Sequence, residues 1–171
     1  MTRDLNKLLV VGFVALSIAW AAQEPLLLEL TSYRVVETHN DRGEKVEAFR
    51  SAESATPGDL LEWRLHAVNR SGTVIHDVIL VIPIPAGTVY QPGTALPLVL
   101  GEAKVLPEFS YDGGVQFSRP PLYRKAIIEV SGIKKEVQVE VPPEAYTHVR
   151  WVLPEFAPGR TVTVQLRTRV R

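Results

Sequence analysis

Apolar and polar residues alternate along the chain from residue 61, with the period of a β-strand that has one face in a core. The apolar positions of this segment are Leu61, Trp63, Leu65 and Ala67, and the polar positions between them are Glu62, Arg64 and His66. A second segment, Val74 to Ile82, is apolar and β-branched almost throughout until Pro83 and Pro85 end it, which suits a strand buried in a sheet. Residues 56–87 therefore predict a hairpin of a β-sandwich.

Turn residues bound both of these strands. Thr56-Pro57-Gly58-Asp59 precedes the first, because proline fixes φ, glycine supplies a φ that other residues avoid, and aspartate bonds to its own backbone. Asn69-Arg70-Ser71-Gly72 separates the two strands. Along the whole chain, the residues predicted to serve as structural turn or core positions are Pro57, Gly58, Asp59, Trp63, Asn69, Asp112, Gly114, Trp151 and Gly159.

The same strand period recurs in the rest of the chain. Further strands are predicted over residues 26–38, 45–50, 126–130, 136–141, 146–153 and 162–170. Those at 126–130 and 136–141 should form a hairpin with one wet face, joined by a turn over residues 131–135. Helical periodicity of useful length is absent after residue 22, so the sequence predicts an all-β fold.

The segment from Ser110 to Phe117 contains Asp112-Gly113-Gly114, the tightest hairpin signal in the chain. Its spacing of serine, aspartate, glycine and aromatic residue resembles the Asp-box of sialidase propellers, in which the box braces a turn and is not catalytic. A propeller requires blades that repeat at a fixed period, and the sequence has no such repeat. We therefore predict a self-capped hairpin turn rather than a sialidase or metal site.

Residues 1–22 have the pattern of a secretory signal peptide. Two basic residues precede an apolar run, Leu8 to Ala19, that ends in small residues. A retained membrane helix needs about 20 apolar residues, and this run is shorter. We expect cleavage after Ala21 or Ala22, an extracytoplasmic location, one domain over residues 23–171 and no membrane span after cleavage.

The composition narrows the choice of partners. Without residues 1–22 the chain keeps 17 basic and 18 acidic residues of its 19 and 19, so no global field gathers nucleic acid or an anionic membrane. The chain has no cysteine, so packing rather than disulfides must stabilise an exported domain. One methionine, three asparagines and thirteen prolines suit a thermophilic source.

Two sets of motifs resemble the conserved-repeat domain of unknown function number eleven, found in bacterial and archaeal surface proteins. The opening set is Pro57-Gly58-Asp59, Val68-Asn69, Ser71-Gly72, Val74 to Ile82 and Pro85-Ala86-Gly87-Thr88. The closing set is Trp151, Leu153, Ala157-Pro158-Gly159, Val162 and Val164. The resemblance covers residues 33–170 and implies an immunoglobulin-like β-sandwich outside the cytoplasm, without assigned catalytic residues. This chain departs from the family in having one copy with a long insert, residues 98–145, instead of tandem repeats.

Catalytic chemistry has little support in the sequence. The four histidines lie on different segments without the spacing that zinc sites often show; they are His39, His66, His76 and His148. Nothing places two carboxylates across a cleft, and no Ser-His-Asp order stands on a recognisable nucleophile elbow. We therefore predict a protein that is not an enzyme and that needs neither a metal nor a cofactor.

The candidate interaction surface consists of Arg160, Arg167, Arg169 and Arg171. The last three share the outward face of the final strand and form a one-sided basic stripe, to which an anionic envelope polymer can bind by charge. A solvated strand face that discourages edge pairing is the alternative. Because sugar sites stack on exposed aromatic rings, the other binding candidates are Tyr33, Tyr90, Tyr111, Tyr123 and Tyr146.

The sequence thus predicts a secreted, non-catalytic structural or adhesive module of the bacterial cell envelope that contacts an envelope protein or a surface polymer. One alternative is a carbohydrate-binding module, which exposed coplanar aromatic rings would favour. The other is an assembly subunit whose strand Leu26 to Val36 completes the sheet of a neighbour, including self-assembly by strand exchange. A detached N-terminal strand would favour that alternative.

Overall fold

The computed structural model describes residues 24–130 and 133–171, so the predicted signal peptide lies outside the described residues. These residues contain one 3-10 helix, Pro143–Ala145, and no helix there has the length and apolar character needed to cross a membrane. The strands are β1 (Leu26–His39), β2 (Lys45–Ser51), β3 (Leu60–Asn69), β4 (Ile75–Pro83), β5 (Thr88–Tyr90), β6 (Leu98–Leu100), β7 (Ala103–Val105), β8 (Glu108–Ser110), β9 (Leu122–Val130), β10 (Ile133–Val141), β11 (His148–Phe156) and β12 (Thr161–Val170).

Two antiparallel sheets pack together, which confirms the predicted all-β sandwich. One sheet has the strand order β2-β1-β3-β12-β5, and the other has the order β4-β11-β8. The hairpins β6-β7 and β9-β10 form separate two-stranded sheets. β8 lies within the predicted insert, residues 98–145, yet it pairs with β11. Part of that insert therefore completes the sandwich.

The core lies between the two sheets. On β3 and β12 the predicted apolar positions face the core, and the buried apolar residues are Leu61, Leu65, Ala67, Val162, Val164 and Leu166. The facing sheet contributes Val78, Leu80, Ile82, Val149, Trp151, Leu153 and Phe156. Trp151 is fully buried, and Trp63 is partly buried and packs against the same core. The predicted shared core of the two tryptophans is confirmed, and each indole N–H has an acceptor, the Leu96 carbonyl for Trp151 and the Thr168 hydroxyl for Trp63.

Asn69 joins the turns at one end of the sandwich. Its Nδ2 donates to the carbonyl oxygens of Thr73 at 2.9 Å and Phe156 at 2.7 Å, and its Oδ1 accepts from the backbone N–H of Ser71. Gly159, with φ at +69°, donates its backbone N–H to the Asn69 carbonyl. A buried amide that satisfies several backbone groups fixes the two turns relative to each other. The structural roles predicted for Asn69 and Gly159 are confirmed.

The Thr56–Asp59 turn is anchored at the opposite end of β3. The Asp59 carboxylate accepts hydrogen bonds from the backbone N–H and the hydroxyl of Thr56, at 2.8 and 3.1 Å. Gly58, at a φ of +93°, donates its N–H to the carbonyl of Val170. The turn predicted from Pro57, Gly58 and Asp59 therefore caps itself and also holds the end of β12.

Candidate functional site

Of the four arginines of the predicted basic surface, Arg167 makes the most side-chain hydrogen bonds. Its Nε donates to Glu62 at 2.8 Å, and its two terminal nitrogens donate to the two oxygens of Glu47 at 2.8 and 2.6 Å. Hydrogen bonding to Glu47 and then to Glu62 raises the pKa of Arg167, and the same bond from Arg167 lowers the pKa of Glu47. The interpretation of Arg167 as a free, solvent-facing charge is wrong, because the carboxylates of Glu62 on β3 and Glu47 on β2 neutralise it.

The other three arginines of that surface lie at the two ends of β12. Arg169 donates to the carbonyl of Gly58 at 2.8 Å, and Arg171 donates to the carbonyl of Glu144 at 3.2 Å. Arg160 is exposed in the turn before β12. Arg160 therefore lies at the opposite end of β12 from Arg169 and Arg171.

The sequence pattern did not indicate a structural role for Glu62. It lies on the face of β3 predicted to be wet, but only 1% of its surface is exposed. Arg64 donates to it at 2.6 Å and also lies over the rings of Tyr33, at 4.8 Å, and Phe49, at 4.4 Å. This cover removes the carboxylate from water, so two guanidinium groups must compensate its charge.

The five tyrosines separate into buried and accessible rings. Tyr90 and Tyr146 are 4% and 6% exposed, and their rings stack with centroids 6.0 Å apart. Burial raises the pKa of both hydroxyl groups. They line an apolar cavity of about 440 Å³ together with Phe109 and several prolines. Since Tyr33 is covered by Arg64, Tyr111 and Tyr123 are the tyrosines at an open groove.

This groove lies between the Asp112 turn and the base of the β9-β10 hairpin. Two adjoining cavities, of about 400 and 310 Å³, share the side chains of Tyr111, Gln116, Tyr123 and Gln138. Tyr123 is 51% exposed, and both glutamines are exposed. Lys125 also contributes to the wall, on the same face of the hairpin as Gln138. The groove therefore combines aromatic rings, two amides and a cation on one concave surface.

The Asp112 turn is a rigid wall of the groove. Asp112 Oδ1 accepts from the hydroxyl of Ser110 at 2.6 Å and from the backbone N–H groups of Val115 and Gln116 at 3.1 and 3.0 Å. Gly114 has φ at +87°, and a Cβ there would lie 3.5 Å from the ring of His148. The predicted self-capped turn at Asp112 and Gly114 is confirmed, and its hydrogen bonds fix the backbone of Gln116.

Acid should weaken this turn. The hydrogen bond from Gln116, followed by that from Ser110, lowers the pKa of Asp112 below its ordinary value of 3.8. A carboxyl whose pKa is lowered by folding stabilises the protein above its unfolded pKa, and this stabilisation is lost as the pH falls through the folded value. We expect the Asp112→Asn variant to be less stable than the parent at about pH 7 and to approach it near about pH 2. Urea unfolding at both pH values tests this, and a pH-independent difference would contradict it.

The β9-β10 hairpin, which we call the arm, projects from the sandwich. Of its apolar residues, Leu122 and Val141 at the base are buried. The remaining apolar face of the arm contains Ile128, Ile133, Val137 and Val139, which the strand register places together. Ile133 is 71% exposed and Ile128 is 41% exposed. The expectation of a single wet face is wrong, because the sandwich covers only the base of the hairpin.

The arm is also longer than predicted. Residues 133–135, predicted as part of the turn, pair with β9, from Ile133 opposite Val130 to Lys135 opposite Ile128. Their alternation continues that of the following valines, and only residues 131–132 remain between the two strands. The longer strands carry the exposed apolar face further from the sandwich.

Metal-binding residues are not grouped in the described part of the chain. Within residues 24–130 and 133–171, no cluster of three or more histidine, aspartate or glutamate side chains has a geometry that can hold a metal ion. His66 and His148 each lie 3.1 Å from a threonine hydroxyl, of Thr163 and Thr147. The two half-buried histidines therefore take part in local side-chain contacts.

The fold and these surfaces define an all-β sandwich module with a projecting hairpin and an open aromatic groove. Comparisons of the chain with protein-family models, curated proteins and solved structures gave no match. The resemblance to the surface-protein domain therefore remains a prediction from the motifs alone. The functional argument rests on the geometry of the arm.

Proposed function

We propose that this chain is a secreted, non-catalytic structural or adhesive module of the bacterial cell envelope that acts through protein–protein contacts. The arm carries this proposal. An isolated two-stranded hairpin is marginally stable in water, and this one leaves Ile128, Ile133 and Val139 at least 38% exposed on one face. Contiguous exposed apolar residues with a polar surround mark interaction sites.

The chemistry of the arm specifies what kind of partner it fits. Its opposite face carries charged and amide side chains, including the ion pair between Lys125 and Glu136 at 2.8 Å. This opposite face is thus mainly polar, although it also carries Ile127, whereas the first face presents isoleucine and valine side chains, with Lys135 opposite Ile128, to an apolar protein surface. We assign the partner as an envelope protein with an apolar patch or groove that receives the arm.

A double substitution on the apolar face tests this assignment. Ile128→Thr with Ile133→Thr keeps β-branched side chains, so the hairpin should still form. We expect the parent to retain a discrete partner from envelope extract and the double variant to retain at least about tenfold less, since each lost apolar contact weakens binding. The matched control is Ile127→Thr, because Ile127 is 73% exposed on the opposite face of the same strand.

The pattern of retention decides the outcome. A partner that binds the parent and the Ile127→Thr control but not the double variant supports the arm as the contact element. Equal retention of that partner by all three proteins would refute it. Sedimentation of the purified protein tests whether the partner is a second copy of this chain. Self-association of the parent that is lost in the double variant would identify a second copy, instead of a different envelope protein, as the partner.

Strand addition is a second candidate function, favoured by the free edge of β4. In the described residues β4 pairs only with β11. On the inner face of β1, Leu28 and Leu30 remain 46% and 42% exposed. An extended segment of a partner can pair with such an edge. Donation of β1 itself is disfavoured, because Leu26–Val35 pairs in continuous register with β3.

A further inference from the structure

We infer that the open side of the sandwich, between β4 and β1, binds an extended protein segment with alternating apolar side chains and one acidic residue. This inference rests on the second candidate function, strand addition at β4, and names the chemistry of the partner. The five-stranded sheet continues past β3 to β1 and β2, whereas the facing sheet ends at β4. In the described residues β4 packs against β3 and β12. The facing sheet therefore has room for a further strand beside β4.

The edge of β4 supplies backbone donors and acceptors to this strand. β4 pairs with β11 from Val78 opposite Leu153 to Pro83 opposite His148, and no strand of the described residues pairs with its other edge. Asp77, with φ at +52°, has no partner in the register, so the regular edge begins at Val78. An unpaired edge forms main-chain hydrogen bonds with an added strand. Because antiparallel pairs are the commoner kind, we assign the segment the direction opposite to β4.

Two exposed leucines on β1 select the apolar side chains of the segment. Leu28 lies opposite Ala67, and Leu30 lies opposite Leu65, so both leucines are on the inner face of the sheet. Ala67 and Leu65 are buried, but Leu28 and Leu30 are 46% and 42% exposed. A strand beside β4 lies about 10 Å from β1, the usual spacing of packed sheets. Apolar side chains at every second position of that strand bury both leucines.

Two arginines on the same inner face select the acidic residue. Arg34 lies directly opposite Arg50 on β2 and opposite Leu61 of the core on β3. Asp59 is 3.6 Å from Arg34, whereas the exposed Arg50 has no ion pair within the described residues. Like charges directly opposite each other destabilise a sheet, and a guanidinium binds a carboxylate through two parallel hydrogen bonds. A carboxylate on the segment therefore compensates Arg50 and reduces the repulsion.

The direction of the segment sets the order of its side chains. β1 is antiparallel to β3, and the short turn after Asn69 sends β4 back along β3, so β4 runs in the direction of β1. An antiparallel segment meets Arg34 and Arg50 first and then Leu30 and Leu28. Because side chains on one face recur at every second residue, the expected pattern is Glu-x-x-x-Val-x-Val.

Fluorescence anisotropy with labelled synthetic peptides tests this site. The probe has nine residues, the length of β4, and is Thr-Glu-Thr-Ser-Thr-Val-Thr-Val-Thr with both ends blocked. We expect saturable binding that weakens about tenfold when glutamine replaces the glutamate. Replacement of both valines by serine, or reversal of the sequence, should also weaken it. Lack of binding by the probe would refute strand addition at β4 as well as this inference. Equal binding of the glutamine peptide would refute the acidic residue alone.

Methylation of the peptide backbone separates strand addition from contacts of side chains alone. A strand added to one edge directs every second N–H group to that edge and the others to solvent. N-methylation of one alternate set of residues should therefore abolish binding of the probe, whereas N-methylation of the other set should change it by less than about twofold. Equal effects of the two sets would overturn the proposal.

Matched variants of the protein locate the contacts. Arg50→Gln should weaken binding of the glutamate probe about tenfold and leave binding of the glutamine peptide unchanged. Its control is Arg42→Gln, an exposed arginine in the turn between β1 and β2. Leu30→Thr should weaken binding of both peptides, unlike Leu27→Thr on the outer face opposite Val68. Thermal melting checks that each variant is folded. If folded Arg50→Gln binds the glutamate probe like the parent, the arginine pair does not select the segment.

The outcome for the open side is independent of the outcome for the arm. The arm forms a separate two-stranded sheet, so the Ile128→Thr, Ile133→Thr variant should bind the probe like the parent. Loss of binding in that folded variant would place the contact on the arm and contradict a site beside β4.

Discussion

Trp151→Ala is expected to lower the free energy of unfolding by about 3 to 5 kcal/mol. The indole is fully buried, so its removal forfeits apolar burial and leaves a cavity between the two sheets. It also removes the donor to the carbonyl of Leu96, a bond of 2.9 Å. For a domain of this size the melting temperature should fall by about 10 °C.

Urea unfolding followed by circular dichroism measures this loss. Trp151→Phe serves as the matched variant, because it keeps an aromatic ring in the core but lacks the N–H and part of the volume. We expect its loss to be about half that of the alanine variant. A loss of less than about 1 kcal/mol for Trp151→Ala would show that the residue does not support the core.

The strands of the sandwich could be predicted because their information is local. The alternation from Leu61 to Ala67 and in the last strand depends only on the side-chain period of a strand, and both segments bury the expected face. The turns at Asp59 and Asp112 are likewise closed by hydrogen bonds within a few residues. Patterns of this kind need no knowledge of the partner strand.

The burial of Glu62 could not be predicted in this way. In sequence it is one polar residue of an alternating strand, as Arg64 is. Its cover comes from Arg167, 105 residues away, and from Arg64 held over the ring of Phe49 on β2. The sheet order β2-β1-β3-β12 brings these residues together, and no local pattern encodes that order.

The exposure of the groove and of the arm likewise could not be predicted from local sequence patterns. The alternation around residues 126–141 correctly predicts a hairpin, but not that its apolar face would extend beyond the sandwich. The sequence names five tyrosines as binding candidates, and exposure decides among them. Tyr146 is buried against Tyr90, whereas Tyr123 stands at the base of the arm. Such differences depend on tertiary packing and not on the neighbours in sequence.

Arg167→Gln is expected to lower the free energy of unfolding by about 2 to 3 kcal/mol. Its Nε contacts Glu62, which is 1% exposed, and removal of one partner of a buried pair typically costs about 3 to 5 kcal/mol. The expected loss is smaller here because Arg64 still donates to Glu62 at 2.6 Å. Arg167→Lys should lie between parent and glutamine variant, because lysine cannot make the two parallel bonds to Glu47.

Arg160→Gln is the control for this prediction, since Arg160 is exposed and its substitution should change stability by less than about 0.5 kcal/mol. Equal stability of the Arg160 and Arg167 variants in urea would show that the contacts of Arg167 contribute nothing to the fold. If the prediction holds, Arg167 cannot be used to test binding of an anionic polymer, because loss of retention on envelopes would follow from loss of stability. The exposed charge of Arg160 can be removed without that ambiguity.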